Sequence, residues 1–193
     1  MNFLAHLYLS FETSDFMVGN FIADSIRGKE MELYSITMQK GIRYHRFIDH
    51  YTDNHPVTHE IKDRIQHDFH KYNAVVVDIY YDHFLAKHWT LYHTEALTTF
   101  AQNFYSYIQT HSALPERVKE LLPYMIKQDW LVHYAEIEGL QRIFNGMAKR
   151  ANFPSNMEAG TEVLRREYTF LEEKFFEYFP DLVTACKNKL ADI

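Results

Sequence analysis

The segment from Gly41 to Pro56 concentrates side chains able to hold a cation or a phosphate, with His45, Arg46, Asp49, Asp53 and His55 all inside sixteen residues. Apolar residues at Ile42, Tyr44, Phe47, Ile48 and Tyr51 recur at helical spacing, and Pro56 stops the helix after Asn54 and His55. On a helix His45 and Asp49 lie one above the other, and Asp53 extends the row by a turn. One stripe thus offers imidazole and carboxylate ligands, beside an arginine whose planar fork suits a phosphoryl group. Together these would serve metal-assisted phosphoester hydrolysis. The same spacing also describes a solvated His–Asp hydrogen-bonded pair. The surrounding composition favours the cation: nine of the twelve histidines lie between His45 and His93, together with Asp49, Asp53, Asp63, Asp68, Asp78 and Asp82.

Helices must position these groups. Ser14 or Asp15 can cap a helix through Phe16, Met17, Phe21, Ile22 and Ile26, with Asp24 on it and Gly28 as its stop. Gly19 is either a soft spot in that helix or a point of close backbone approach. The next helix takes in Leu33, Ile36 and the focal segment. Beyond Pro56, a thin stripe of Val57, Ile61 and Ile65 predicts a peripheral helix. Asn73 opens one that is apolar nearly all round, through Val75, Val76, Ile79, Tyr80, Phe84, Leu85 and Trp89. Ionised Asp78 and Asp82 on such a helix need partners, because desolvation costs several kcal/mol. For Asp78 an arginine salt bridge is the ordinary solution; Asp82 beside His83 points to a metal.

Leu97 to Ile108 reads as a further helix, and Pro115 starts another through Met125 that Pro123 should kink or divide. Gly139 separates Trp130–Leu131 from a helix through Leu140, Ile143, Phe144 and Met147. Ser155 and Glu158 form a capping-box pattern at the start of a long final helix with a seam of Leu164, Tyr168, Leu171, Phe175 and Tyr178. No segment reads as a strand. The fold class is all-α, a single-domain multi-helix bundle spanning 1–193.

The net charge of -6 argues against general nucleic-acid or anionic-membrane binding. The lone cysteine, Cys186, excludes an internal disulfide or a thiolate cluster and points to a reducing compartment. The apolar opening Met1–Leu9 lacks a basic leader and meets Glu12 and Asp15 early, so it reads as part of the mature fold. No run of about eighteen apolar residues exists to span a membrane. A soluble, cytoplasmic protein is expected.

Several motifs, in order, resemble one family: Met1-Asn-Phe-Leu-Ala-His6, Gly19-Asn-Phe-Ile-Ala-Asp24 with Arg27-Gly28, His45-Arg-Phe-Ile-Asp49 with Thr52-Asp53, and Asp82-His-Phe-Leu85 with His88-Trp89. Gln128-Asp-Trp-Leu131 and Asn145-Gly-Met-Ala148 extend the likeness over most of the chain. In this pattern the sequence resembles the acyl carrier protein phosphodiesterases, placed distantly with the HD-type metal-dependent phosphohydrolases. The resemblance implies an HD-like helical fold and removal of the 4′-phosphopantetheine arm from holo acyl carrier protein, a step of lipid metabolism, with manganese as the favoured ion. The His-Asp dipeptide of the wider superfamily is absent, its nearest counterpart being the reversed Asp82-His83.

The expected metal ligands are Asp24, His45, Asp49, Asp82 and His83. Arg46 or Arg27 would hold a non-bridging phosphoryl oxygen, and His6 would be the general acid or a histidine hydrogen-bonded at the core edge. Arg27, Lys29, Lys40, Arg43, Arg46, Lys62 and Arg64 could form a basic face for an acidic carrier protein, or be scattered solvated charges. Two other readings remain: a related phosphohydrolase of nucleotides or small phosphodiesters, and a non-enzymatic helical binding protein.

Overall fold

The computed structural model describes residues 1–192 and contains thirteen α-helices and no strand among them. The class expected from the periodicity is the class observed. The order is α1 (Phe3–Tyr8), α2 (Asp15–Ile22), α3 (Ile36–Asn54), α4 (Pro56–Arg64), α5 (Gln66–Phe69), α6 (Asn73–Lys87) and α7 (Trp89–Tyr92). It continues with α8 (Leu97–Ile108), α9 (Glu116–Lys127), α10 (Trp130–His133), α11 (Ile137–Arg150), α12 (Gly160–Arg166) and α13 (Tyr168–Ala191).

The closest packing joins α2 to α3. A Cβ built on Gly19 would lie 2.1 Å from the carbonyl oxygen of Met38, and one on Gly41 would lie 2.1 Å from that of Phe16. Glycine therefore lets the two backbones touch, and Gly19 marks close approach rather than weakness. Helix α3 starts at Ser35, whose hydroxyl accepts from the Met38 N–H at 3.3 Å. It ends where Pro56 takes the first position of α4, the place a helix tolerates proline.

Helix α6 is buried on most of its circumference, as its sequence required, and the Val75-Val76-Val77 run lies within it. It packs against α1, α4 and α13. Tyr81 of α6 stacks on Tyr178 of α13 with ring centres 4.5 Å apart, and the Tyr178 hydroxyl is 2.6 Å from that of Thr52 on α3.

Several boundaries differ from the sequence reading. Asp24 lies not on α2 but on a 3₁₀ turn, Ala23–Ser25, that follows it. Leu33 belongs to a second such turn, Gly28–Leu33, which begins with Gly28 at φ +49°. Pro123 does not divide α9; it faces solvent, where the carbonyl left without a donor can be hydrated. Gly139 lies inside α11, where a Cβ would meet the His133 carbonyl at 2.1 Å, so it serves packing rather than a break. The expected final helix is a 3₁₀ turn, α12 and α13, with an offset at Glu167. The charge-covered helix α4 is peripheral on one side only, since Val57, Ile61 and Ile65 are fully buried.

The glycine contacts yield a stability test. Gly19→Ala or Gly41→Ala should each destabilise the fold by at least about 2 kcal/mol in urea denaturation, because a methyl group must enter backbone space. Gly146→Ala on α11, where nothing lies within 4 Å of the added carbon, should instead gain about 0.5–1 kcal/mol.

Candidate metal centre

Three elements converge beside the α2–α3 contact: α1 with His6, the 3₁₀ turn with Asp24, and α3 with His45 and Asp49. The Asp49 carboxylate lies between the two imidazoles, with Oδ1 at 3.1 Å from His6 Nε2 and Oδ2 at 3.0 Å from His45 Nε2. Asp24 Oδ1 is 3.1 Å from the same His45 nitrogen. The rings of His6 and His45 stack with centres 3.8 Å apart and planes 13° from parallel. Both histidines are buried, whereas the side chains of Asp49 and Asp24 are 37% and 73% exposed, so the group opens to solvent on its carboxylate side.

Asn20, next to Gly19 and fully buried, orients both rings. Its amide nitrogen donates to the His6 carbonyl at 2.7 Å and to the Ser10 hydroxyl at 3.0 Å. Its Oδ1 must therefore accept, and receives the Nδ1–H of His6 at 3.0 Å. The Asn20 backbone carbonyl accepts from His45 Nδ1 at 2.8 Å. Each ring thus spends its Nδ1 proton on Asn20 and turns Nε2 towards the carboxylates.

That arrangement faces His6 with acceptors on both ring nitrogens, which either a second ring proton or a bound cation would satisfy. Burial, then the neighbouring charge of His45, lowers its pKa to about 4, so the ring is neutral. A neutral His6 protonated at Nδ1 points the Nε2 lone pair at Asp49 Oδ1 and at the Met1 carbonyl, 3.2 Å away. The other tautomer moves the conflict to Asn20. A divalent ion resolves it by accepting all three donors. His6, His45 and Asp49 each offer one ligand atom within 4.8 Å of the others, which suits a first-row ion bound at about 2 Å from each.

His45 shows the same demand for positive charge. Burial disfavours its protonation, but bonds to Asp24 and Asp49 outweigh burial and raise its pKa to about 9. Burial opposes the charge of Asp49 as well, yet bonds from His45 and His6 hold that carboxyl well below the usual range. The Met1 amine adds a buried positive charge, 3.5 Å from Asp49 and 3.0 Å from Asp78. The partner of Asp78 is thus an ammonium rather than an arginine.

Of the expected ligands, the structure brings together Asp24, His45 and Asp49, and adds His6, which had been read as an acid or a core-edge residue. Asp82 and His83 are directed elsewhere. The fully buried Asp82 carboxylate accepts the backbone N–H groups of Leu4 at 2.7 Å and Ala5 at 3.2 Å, closing the first turn of α1. Burial pushes its pKa up to about 7 against the pull of the Met1 amine and these two donors. His83 has Nδ1 at 2.8 Å from the Tyr134 carbonyl and Nε2 at 3.0 Å from the Tyr168 hydroxyl. Adjacent helical positions point about 100° apart, so Asp82 and His83 meet different neighbours.

Arg27 and Arg46 are solvent-exposed; the backbone N–H of Arg27 donates to Glu30 at 2.8 Å. The expected basic face is partly neutralised. Lys62 pairs with Asp53 at 2.7 Å, which also removes Asp53 from the ligand row, and Arg64 pairs with Glu167 at 2.9 Å. Asn20 was not singled out in the sequence, although it lies in the Gly19–Asp24 motif; nothing in its type announces that it orients two rings.

The motif order agrees with comparison to known proteins. The family model described as acyl carrier protein phosphodiesterase matches residues 1–182. The chain belongs to that family. It is 31% identical over 191 residues to the acyl carrier protein phosphodiesterase of Photorhabdus laumondii, covering 98% of this chain and 96% of the relative. It is 33% identical over 193 residues to that of Enterobacter sp. (strain 638), covering 98% and 99%, and 32% identical to that of Salmonella agona over the same shares. No solved structure matches the chain.

The two acidic positions can be separated by experiment. Asp82→Ala, which strands two buried N–H donors, should cost about 2–4 kcal/mol in chemical denaturation while the melting temperature still rises on adding Mn²⁺. Asp49→Asn should lose that metal-induced rise. A rise retained in Asp49→Asn would remove Asp49 from the ligand set.

Proposed function

We propose that this protein hydrolyses the phosphodiester that joins 4′-phosphopantetheine to the serine of holo acyl carrier protein, releasing apo carrier protein. Membership of the family supports the reaction, and the observation that carries the chemistry is the pair of stacked histidines whose Nε2 atoms converge on Asp49. His6, His45 and Asp49 would hold a divalent ion, with Asp24 completing the set on the solvent side. Nitrogen and carboxylate donors without thiolate fit manganese or another divalent first-row ion. Such an ion lowers the pKa of a water molecule and offsets negative charge on the phosphoryl oxygens.

The residues themselves have distinct tasks. Asn20 fixes both imidazoles with Nε2 forward, and burial keeps the rings from turning. Asp24, the exposed member, stands where substrate must enter and can accept a proton from the attacking water. Water oxygen bonds to phosphorus as the bond from phosphorus to the serine oxygen breaks, and the serine oxygen takes up a proton. With His6 oriented as a ligand, that proton must come from another group or from solvent. Arg27, three residues beyond Asp24, is the nearer in sequence of the two arginines proposed to pair with a non-bridging oxygen, Arg46 being the other.

Among the described residues no helix is long and apolar enough to cross a membrane. A cytoplasmic location fits a carrier-protein substrate and the single buried thiol of Cys186.

Incubation with holo acyl carrier protein and Mn²⁺ should lower the mass of the carrier by that of its prosthetic arm. Asp49→Ala should reduce this turnover by at least about a hundredfold with little change in helical circular dichroism. His59→Ala, on the outer face of α4, should match the parent. Turnover unaffected by chelation or by Asp49→Ala would overturn the metal mechanism.

A further inference from the structure

A cavity of about 500 Å³ adjoins the metal centre at Asp24 and Ser25 and runs between α1 and the helices α9 to α11. Its volume falls in the range of about 300–1,000 Å³ typical of small-molecule sites. None of His6, His45 and Asp49 lines it; Asp24 is the member shared by both. Phe3 and Phe21, with ring centres 5.2 Å apart, form one wall. Val118 and Leu121 of α9 and Ile143 and Met147 of α11 add aliphatic lining. Polar groups are spaced among these surfaces at Asn2, Gln128 and Tyr124. Three exposed arginines, Arg117, Arg142 and Arg150, stand in its lining against the acidic Glu120 and Asp24, a locally positive rim on a protein of net charge -6.

We infer that this cavity receives the pantetheine arm of the substrate, with its phosphate at the Asp24 end. The inference rests on the reaction proposed above and assigns the part of the substrate that the metal centre does not touch. The arm is a neutral, narrow chain with a gem-dimethyl carbon, two amides and a terminal thiol. Apolar walls interrupted by isolated donors and acceptors match it: the dimethyl group and methylenes meet aliphatic and aromatic carbon, and the amides meet Asn2, Gln128 and the Tyr124 hydroxyl. The arginines raise the local concentration of a phosphate-bearing ligand at the entrance. Binding energy taken from the arm, remote from the reacting bond, would then position the phosphodiester beside Asp24.

Gly146 offers a clean test. It lies on α11 in the cavity lining, and a Cβ there meets nothing within 4 Å, so a larger side chain projects into space rather than into backbone. Titration calorimetry with 4′-phosphopantetheine in the presence of Mn²⁺ should show binding at least about tenfold tighter than inorganic phosphate, the difference being supplied by the arm. Gly146→Leu should abolish that difference while retaining the metal-induced rise in melting temperature, and Leu121→Trp, on α9, should act in the same direction. Equal affinity for 4′-phosphopantetheine and phosphate would overturn the inference, as would full arm binding in both variants. Binding of AMP as tight as that of 4′-phosphopantetheine would also overturn it, by showing a nucleotide site. Hydrolysis of holo carrier protein, measured on the same parent sample, decides the proposed reaction separately: hydrolysis without an arm contribution sinks only the cavity, and arm binding without hydrolysis sinks only the reaction.

Discussion

The cluster of His6, His45, Asp49 and Asp24 depends on the backbone contact between α2 and α3. Gly19 and Gly41 remove the side-chain layer that normally separates two helices, and the residues beside them are drawn to distances a layer of methyl groups would prevent. Asn20 follows Gly19, and His45 lies one turn beyond Gly41. With the helices in backbone contact, the Asn20 carbonyl reaches His45 Nδ1 and its side chain reaches His6 Nδ1. The 3₁₀ turn that ends α2 then delivers Asp24 to the open side of the same ring. Two small residues thus control a geometry carried by four larger ones.

The electrostatics follow from that closeness. Asp24, Asp49 and Asp78 crowd around two imidazoles and one amine, and water reaches only the outer carboxylates. Burying like charges without compensation costs several kcal/mol per ion, so the protonation of His45 and the buried Met1 amine offset the carboxylates. A bound divalent cation would do the same work at the point where the Nε2 atoms converge. Were the proposed cation bound there, its binding would also add to the stability of the fold.

Much of this was legible in the sequence because it depends on periodicity within one element. The His45–Asp49 pair needs only a helix, and the all-α class needs only the recurrence of apolar residues at three and four. Asp24 was reached through the family motif. What was not legible depends on which elements meet. Asp82 and His83 have the residue types of ligands, but whether a buried carboxylate on α6 meets a metal or a helix end is decided by α1, nearly eighty positions away. Gly139 and Pro123 have the types that end helices, yet one fills a tight contact and the other faces solvent. His6 carried two readings, and only the orientation imposed by Asn20 turns its Nε2 to the cluster.

The bond between Asp82 and the start of α1 also bears on the order in which the chain can assemble. Leu4 and Asp82 are 78 residues apart, so the start of α1 gains this bond only when α6 is in place. A helix of six residues has little stability of its own; Asn20 on α2 can hold its C-terminal end, but its first turn stays open until α6 arrives. Closing so long a loop carries an entropic cost that the neighbours of α1 must offset. Its arrival brings His6 to the other ligands. The proposed metal site would therefore exist only in the assembled core, because His6 reaches Asp49 and stacks on His45 from a helix whose first turn α6 closes.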